Sequence, residues 1–364
     1  MSEPRARVAR AARPPEGARA PSGGSELHEV NERGGRIVRR PVHGVLLLDK
    51  PLGLSSNNAL QKCKWLLRAE KAGHTGTLDP LASGVLPLCF GAATKFSQLQ
   101  LEADKTYEAI AVLGVRTSTG DAEGDVIEAR DPRSVSLPTA AELAVVRNQF
   151  TGPIRQVPPM HSALKKDGKA LYEYARAGQE VERAPREVII HDLQIEPTTP
   201  TPGGHPQLRI VARVSKGTYI RTLGEDIGQA LGCGAHLSAL RRIATGHYGV
   251  DQCITLAELE ALPELERQAR LHPPESLLAG HTPVTLGAED AGRFLSGLRR
   301  RGAWPNTQAV AVFGPPPAPE SGLARPGEVL LGTGHIQGGE LIPGRLLSPL
   351  EIQQIIRSEE PQTV

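Results

Sequence analysis

The sequence predicts an α+β fold, in which strands and irregularly placed helices share one core. Apolar residues make up 39% of the 364 residues, enough for two domains or for one large domain with appendages. Residues 44–48 form a continuous apolar or small run typical of a buried strand, and residues 208–214 alternate as a half-buried strand does. Residues 59–67 instead repeat apolar side chains at helical spacing.

The composition excludes several classes of protein. The net charge of +2 and the isoelectric point near 8.4 do not identify a nucleic-acid partner, so the location of the charges matters more. No apolar run approaches the roughly eighteen residues of a membrane span, and the N-terminus lacks the apolar region of a signal peptide. The scattered cysteines argue against disulfides and structural zinc and predict a cytoplasmic protein; they are Cys63, Cys89, Cys233 and Cys253.

Residues 1–40 are predicted to be a disordered basic tail. They contain nine arginines against five glutamates, are rich in Ala, Pro and Gly, and show no apolar periodicity. The tail fits a solubilising leader, or a segment that attracts RNA weakly through its charge. We favour the leader.

Ordered structure is predicted to begin with the strand at 44–48, which ends in a turn at Asp49-Lys50-Pro51. Ser55, Ser56 and Asn57 are candidate N-caps for the helix that follows. Residues 85–90 predict a strand whose proline indicates an edge or a bulge. Residues 94–101 favour a helix.

The middle of the chain combines a strand, a polar loop and a short helix. Residues 105–114 predict the strand. Residues 116–125 are a loop with three acids, but its spacing is not that of an EF-hand, so we predict no calcium site. Thr139 and Glu142 have the spacing of a capping box and begin a helix over 140–150.

A basic, proline-rich stretch at 152–169 leads into a predicted helix over 170–176. Its basic residues and interleaved tyrosines suit the phosphates and bases of RNA. They fit equally well a solvated loop followed by a helix with two tyrosines. The stretch alone does not decide between these interpretations.

The strand at 208–214 continues through residues 215–223 into a helix that ends near Ala230. Tyr219 and Arg221 lie at this junction, where side chains commonly face a cleft. The alternative is that Arg221 occupies a solvated helix end.

Residues 234–242 end in a pair of arginines, and 258–262 predict a short helix. From about residue 275 the composition shifts to Pro and Gly, and the short apolar runs of 284–350 predict a small β-rich module. Three consecutive arginines at 299–301 fit a solvated face better than a phosphate contact.

The loop 73–84 is the stretch most suggestive of chemistry. Its three glycines and one proline argue against a helix or strand interior, and Pro80 biases Asp79 toward extended backbone. Asp79 fits a turn-forming residue or a positioned nucleophile or general base, and the loop alone supports both equally.

The rest of the chain favours the chemical interpretation of Asp79. An arginine beside an aspartate keeps it ionised, and a tyrosine both stacks on a planar base and moves a proton. Arg221 and Tyr107 are candidates for these partners. The sequence has no Walker loop, GxGxxG motif or metal constellation. This leaves cofactor-free chemistry on a planar, polyanionic substrate, although spacing does not establish that the three residues meet.

Seven motifs occur in order over residues 44–250: GVLLLDKP (44–51), AGHTGTLDPLASGVLPLCFGAATKFSQ (72–98), DKTYEA (104–109), TGDAEG (119–124), QVPPMHSALKKDGKALYEYAR (156–176), SKGTYIRTL (215–223) and LGCGAHLSALRR (231–242). With them the chain resembles the TruB family of bacterial tRNA pseudouridine synthases. The resemblance implies a mixed or antiparallel sheet flanked by helices, and an isomerase that converts uridine 55 in the tRNA T loop to pseudouridine without cofactor or metal.

The resemblance also assigns roles to individual residues. Asp79 is the implied nucleophile; it attacks C1′ or C6 of the flipped uridine, or assists a glycal route. Tyr107 stacks on the base and assists loss of the C5 proton, and Arg221 pairs with Asp79. The remaining assignments are that Asp121 shares Arg221, Tyr219 and Leu240 wall the uracil pocket, His74 fills the space left by the base, and Lys50 and Pro51 support the loop.

The same resemblance divides the chain into a catalytic domain at 41–275 with an RNA-gripping insertion at 152–186, a PUA-like module at 280–350 and a tail at 351–364. The expected phosphate contacts in the insertion are Lys165, Lys166 and Lys169. Three residues depart from the family pattern without removing a catalytic group: His161 replaces Tyr, Ser118 replaces Asp and Ser83 replaces Thr.

The implied partner is the T arm of tRNA, with no membrane, no obligate protein partner and a monomeric enzyme. A tRNA-binding folding factor with dispensable catalysis is the main alternative. A nucleophile and its supporting residues favour the enzyme, since binding alone does not need them. A guide-RNA-dependent synthase is a third alternative, and the bacterial-type insertion argues against it.

Overall fold

The computed structural model describes residues 38–199, 204–317 and 327–359. The strands are β1 (Gly44–Lys50), β2 (Ala72–His74), β3 (Ala82–Phe90), β4 (Lys105–Leu113), β5 (Val115–Thr117), β6 (Val126–Ala129), β7 (Gly152–Gln156), β8 (Lys165–Lys166), β9 (Lys169–Ala170), β10 (Arg186–Thr198), β11 (Gln207–Val214), β12 (Ala235–Thr245), β13 (Tyr248–Gly249), β14 (Ile254–Thr255), β15 (Thr282–Thr285), β16 (Arg300–Arg301), β17 (Thr307–Gly314), β18 (Val329–Gln337) and β19 (Glu340–Leu346).

Helices of varied length stand between these strands. They are α1 (Ser56–Leu66), α2 (Ser97–Glu102), α3 (Ala140–Phe150), α4 (Leu171–Arg176), α5 (Ile220–Ala230), α6 (Leu256–Ala261), α7 (Glu264–Gln268), α8 (Ala288–Leu295) and α9 (Pro349–Glu359). Short 3-10 turns occupy Gly91–Lys95, Pro132–Ser134, Val250–Gln252 and Pro274–Leu278.

The larger sheet has the strand order β14-β1-β3-β12-β4-β11-β10-β7, with β2 and β13 attached at its side. The pairs β1–β14 and β3–β12 are parallel, whereas the other pairs in this sheet are antiparallel. Helices interrupt the strands without a regular βαβ alternation, which confirms the predicted α+β class.

Strand β1 is buried on both faces, which explains its continuous apolar run. Leu46 and Leu48 contribute to one apolar cluster with α1 and α5, whereas Val45 and Leu47 contribute to a second. The second cluster continues into the C-terminal part of the chain through residues such as Val312. The boundary that we predicted at 275–280 therefore lies within a continuous apolar core.

The C-terminal part forms a five-stranded sheet with the order β15-β17-β18-β19-β16, as its short apolar runs predicted. The predicted tail at 351–364 is wrong over its first part, because helix α9 covers Pro349–Glu359. Ile352, Ile355 and Ile356 recur at helical spacing and pack into the second apolar cluster. Residues 360–364 lie outside the described part of the chain.

The predicted basic tail at 1–40 falls almost wholly on residues 1–37, which lie outside the described residues. Its last residue belongs to the fold. The backbone amide of Arg40 donates to the carbonyl of Arg68 at 2.8 Å, and its guanidinium pairs with Glu264 at 2.9 Å. The predicted boundary is therefore too late by a few residues.

The proline of β3 does not mark an edge or a bulge, so that prediction is wrong. One side of β3 pairs with β1 without a register shift. The other side pairs with β12 at residues 82–84 and with β2 at residues 88–90. Pro87 lies between these two partners, where its carbonyl accepts from the amide of Thr75 at 3.1 Å. A missing N–H is tolerated there because the strand changes partner at that point.

Candidate active site

The loop between β2 and β3 carries Asp79 and is fixed from both sides. The buried hydroxyl of Ser56, at the start of α1, accepts from the amide of Leu78 at 2.7 Å and donates to its carbonyl at 2.9 Å. The amide of Gly53 donates to the carbonyl of Pro80 at 2.9 Å. Leu78 and Pro80, the residues on either side of Asp79, are therefore both held by the segment that follows β1.

Lys50 fixes the segment that holds the loop. Its fully buried ammonium donates to the carbonyls of Pro51 at 2.8 Å and Leu54 at 2.6 Å. Burial lowers the pKa of Lys50 to about 8, while the nearby charge of Asp79 opposes that shift. The structure thus places Lys50 and Pro51 behind the loop, where the resemblance implied a supporting role.

Arg221 joins two acidic side chains from different loops. Its Nη2 lies 2.9 Å from the Oδ2 of Asp79, and its Nη1 lies 3.3 Å from the Oδ2 of Asp121. The side chains of Arg221 and Asp121 are buried, whereas that of Asp79 is 42% exposed. The pair therefore presents the Asp79 carboxylate toward solvent while its counter-ion stays buried.

Backbone contacts fix the direction of the Arg221 guanidinium. Arg221 lies in the first turn of α5 and donates from Nη1 to the carbonyl of Thr119 and from Nη2 to that of His161. Asp121 is held in turn by the Thr119 hydroxyl at 2.6 Å and the Glu123 amide at 3.0 Å. Because His161 acts through its carbonyl, replacement of a family tyrosine there leaves this contact intact.

A cavity of about 600 Å³ opens above Asp79 and Arg221. The side chains that line it include those of Tyr107 from β4, Leu240 from β12 and Tyr219 before α5. Gln156 fixes the backbone of Tyr219 through both of that residue's peptide groups, at 3.1 and 3.3 Å. Burial raises the pKa of the Tyr219 phenol. The cavity thus joins one carboxylate and one guanidinium to an apolar and aromatic wall.

His74 does not line this cavity. It lies half-buried on β2, and its Nδ1 has no hydrogen-bond partner among the described residues. Burial lowers the pKa of His74, and the positive charge of Arg242 adds to that effect. The structure therefore places His74 beside the loop of Asp79 rather than with the residues that line the cavity.

The expected phosphate contacts lie on the hairpin of β8 and β9. Asp167 and Gly168 both have positive φ at its turn, as a two-residue type I′ hairpin requires. Lys166 donates to the carbonyl of Glu182 at 2.9 Å, and the ammonium of Lys169 lies 4.5 Å from the ring centre of Tyr174. Lys165 is exposed. The ends of the predicted insertion, Gly152–Gln156 and Arg186, belong to the larger sheet instead.

Two residues of the site were not identified from the sequence. Ser56 resembled an N-cap, but Ser55 caps α1 by accepting from the amide of Asn58. The sequence showed Arg242 as one of a pair of arginines and gave it no role, but it is 1% exposed and donates to the carbonyl of Gly76 in the loop and to that of Val85 in β3. No sequence signal distinguished either residue from its neighbour.

The described residues contain no cluster of three or more His, Cys, Asp or Glu side chains that could hold a metal ion. None of the helices in the described ranges is long and apolar enough to cross a membrane.

Comparison with known proteins assigns the chain to the pseudouridylate synthases. The N-terminal domain of the TruB family pseudouridylate synthases matches residues 64–220, and the tRNA pseudouridylate synthase B C-terminal domain matches residues 221–279. The two matches meet inside α5, where the structure has no break. The chain belongs to the TruB family.

Relatives of this family align along most of the chain. A tRNA pseudouridine synthase B of Verminephrobacter eiseniae is 64% identical over 327 residues, covering 89% of this chain and 94% of the relative. Its counterpart in Ralstonia nicotianae is 55% identical over 311 residues, covering 85% and 95%.

Solved structures share the fold at much lower identity. A chain from a Cbf5-Nop10-Gar1 complex aligns with a TM-score of 0.58 and 24% identity, over 93% of this chain and 89% of that one. A chain from an H/ACA RNP bound to a substrate RNA containing 2′-deoxyuridine aligns with a TM-score of 0.60 and 22% identity, over 91% and 95%. These matches show the fold alone.

Proposed function

We propose that this chain is a tRNA pseudouridine synthase that isomerises uridine 55 of the T loop, with Asp79 as its nucleophile. The observation that carries the assignment of Asp79 is its ion pair with the buried Arg221 at the floor of the 600 Å³ cavity. Family membership and the named relatives support the reaction class.

The cavity suits a nucleotide that has left its base stack. A uridine inside a folded loop does not present C1′, C5 or C6 to a protein carboxylate, so the base must be flipped outward. Tyr107 and Tyr219 offer rings that suit a planar base, and Leu240 offers an apolar edge. The partly exposed Asp79 carboxylate then meets the ribose side of the nucleotide.

The ion pair suits a nucleophile better than a proton donor. The positive charge of Arg221 favours the ionised carboxylate of Asp79. In the reaction the N1–C1′ bond breaks, the uracil turns, and C5 forms the new bond to C1′. C5 loses its proton, N1 gains one, and atoms and charge balance without a co-reactant. The same overall balance holds for attack at C1′, for attack at C6 and for a glycal route.

Tyr107 is proposed to hold the base and to assist transfer of the C5 proton. It lies on β4, in the centre of the larger sheet, opposite Ala212 of β11 and Arg242 of β12. A position held by two neighbouring strands keeps the ring still while the uracil turns. A phenol is also chemically able to carry a proton.

The surface around the hairpin is proposed to hold the RNA backbone. Lys165 is exposed, and Lys166 and Lys169 lie within the same four-residue turn region. Their charges provide a sequence-independent attraction for phosphates. We assign the acceptor side of tRNA to the module at 280–350, because its five-stranded sheet resembles the PUA-like domain that meets that side of tRNA in the family.

We further propose a monomer that acts in the cytoplasm without an obligate protein partner. The four cysteines are unpaired in the structure, as expected of a reducing compartment. Sedimentation of the purified enzyme, alone and with tRNA, tests the monomer.

A folding factor with dispensable catalysis is not favoured, because RNA binding does not require the Asp79–Arg221 pair.

Tritium release from C5-labelled, unmodified tRNA transcript tests the proposal. We expect release by the wild type after dialysis against a chelator, and none by Asp79→Asn at a tRNA affinity within a few-fold of wild type. Asp125→Asn, which changes an exposed carboxylate of the nearby loop, is the matched control and should keep full activity. Release by Asp79→Asn near the wild-type rate would refute the nucleophile. Binding without release by the wild type would refute the reaction on this RNA.

A further inference from the structure

Two adjacent arginines on β12 have opposite environments. Arg241 is 38% exposed and forms a two-pronged ion pair with Asp49, at 2.6 and 3.1 Å. Arg242 points to the other face of the strand, is 1% exposed, and has no carboxylate partner among the described residues. An unpaired guanidinium is costly to bury. A counter-ion from outside the chain would therefore stabilise it.

Part of the Arg242 guanidinium remains available. Its Nε donates to the carbonyl of Val85 at 2.7 Å and its Nη2 to that of Gly76 at 3.0 Å, while Nη1 has no acceptor in the described structure. Nη1 lies 3.2 Å from where a Cβ on Gly76 would be. A side chain at position 76 would therefore touch this nitrogen, and glycine leaves that space free.

Arg242 faces the same cavity as the reacting groups. It lies directly opposite Tyr107 in the register of β12 and β4, and residues opposite one another share a face of the sheet. Leu240, two residues earlier, shares that face, and all three side chains line the cavity with Asp79. A ligand in contact with Tyr107 and Asp79 thus also comes near Arg242.

The charges around the cavity favour an anion. Lys105 also lines it, but its ammonium is fully used by the carbonyls of Gln100, Leu101 and Ala103 at the end of α2. Burial lowers the pKa of Lys105 to about 8, with the Arg242 charge adding to the shift. Arg221 is shared by Asp79 and Asp121, which leaves one negative charge against two further cations, Lys105 and Arg242. Of these two cations, only Arg242 has a free donor.

We propose that Arg242 binds a phosphate adjoining the flipped nucleotide, on its 5′ or its 3′ side. This inference rests on the proposed function and names a contact within the same site. A guanidinium already fixed by two carbonyls is pre-organised to donate to a phosphate oxygen. The contact would draw the ribose toward Asp79 while the base lies against Tyr107.

Removal of one phosphate charge from the RNA tests the contact without changing the protein. A hairpin that carries the T arm is made with a neutral methylphosphonate at the phosphate 5′ or 3′ of the target uridine, and dissociation constants are measured. For the wild type we expect one of the two substitutions to weaken binding about tenfold, since a charge-assisted hydrogen bond is lost. A methylphosphonate in the stem, away from the loop, is the RNA control.

A thermodynamic cycle assigns the lost contact to Arg242. Arg242→Gln should bind the unsubstituted hairpin about tenfold more weakly and lose less than twofold more on methylphosphonate substitution, because both changes remove one contact. Arg241→Gln, the matched protein control, should keep the full tenfold sensitivity. Arg242→Lys keeps a charge and should show partial sensitivity.

The outcomes separate this inference from the proposed function. If the wild type isomerises the unsubstituted hairpin and neither adjacent methylphosphonate weakens its binding, the phosphate contact is refuted and the function stands, even if Arg242→Gln fails to fold. The contact is also refuted if Arg242→Gln keeps the full tenfold sensitivity. If the wild type neither binds nor isomerises the hairpin, the function fails and this inference with it.

Discussion

The contact between Ser56 and Leu78 makes the strongest prediction, because one hydroxyl holds both the amide and the carbonyl of the residue before Asp79. Ser56→Ala leaves the amide and carbonyl of Leu78 buried without a partner, and each such group costs about 1–3 kcal/mol. We expect the loop to relax and recover part of this cost from water. A displacement of about 1 Å would lower kcat by about 10²-fold.

Ser55→Ala is the matched control for this variant. Ser55 and Ser56 are adjacent and identical, but Ser55 caps α1 from an exposed position. Its loss should cost about 1 kcal/mol of stability without moving Asp79. The assay is single-turnover pseudouridine formation at a temperature where both variants are folded, with denaturant unfolding and tRNA affinity measured on the same preparations.

The two variants should therefore separate stability from catalysis. We expect both to lose stability and both to bind tRNA within about twofold of the wild type, while only Ser56→Ala loses kcat. If Ser56→Ala turned over tRNA within about twofold of Ser55→Ala, the loop would not depend on the contact for its position, and the reasoning would be wrong. Equal loss of kcat in both variants would mean that the start of α1, rather than Ser56, positions the loop.

Three further changes test other parts of the structure. Arg221→Lys should lower kcat by about 10²-fold with tRNA affinity kept, since one ammonium cannot replace a fork that contacts two carboxylates and two carbonyls; single-turnover rates check this. Lys165→Ala with Lys166→Ala should reduce the slope of log affinity against log salt by about 1–2, and an unchanged slope would exclude phosphate contacts there. Burial raises the pKa of Asp226 from 3.8 to about 6, so its protonation stabilises the fold below pH 3.8 and that contribution is lost as the pH rises through 6. Asp226→Asn should therefore raise the free energy of unfolding by about 1–3 kcal/mol at pH 8 and leave it unchanged below pH 4, as denaturant titrations at both pH values would show.

Local signals in the sequence predicted those elements that local interactions determine. The spacing of Thr139 and Glu142 located helix α3, and the structure forms the complete capping box there. Alternation predicted β4 and β11, because in each strand buried residues alternate with residues that are less buried. In these segments the residues that determine the structure are neighbours in the chain.

Elements that depend on distant partners were missed or misread. Strand β10 is 13 residues long, but a register shift between Ile190 and Asp192 interrupts its alternation. Pro87 was predicted to mark an edge or a bulge because a proline lacks the N–H that a sheet hydrogen bond needs. The structure accepts Pro87 inside the sheet because β3 changes its partner from β12 to β2 there, which the local sequence does not reveal. Such information belongs to the order of strands in the sheet and is absent from the composition of any one segment.

The same limit applies within the site, where two pairs of identical neighbours have different roles. Ser55 caps a helix while Ser56 holds the loop, and Arg241 forms an ion pair while Arg242 is buried beside the cavity. Residue type and local pattern are the same within each pair. What differs is which face of α1 or β12 each side chain occupies relative to the loop of Asp79. The sequence shows the Gly-rich loop around Asp79, but that loop alone fits a turn-forming aspartate and a nucleophile equally well. The residues that aim Asp79 are defined only by the packing of segments 50–56 and 235–245 against that loop.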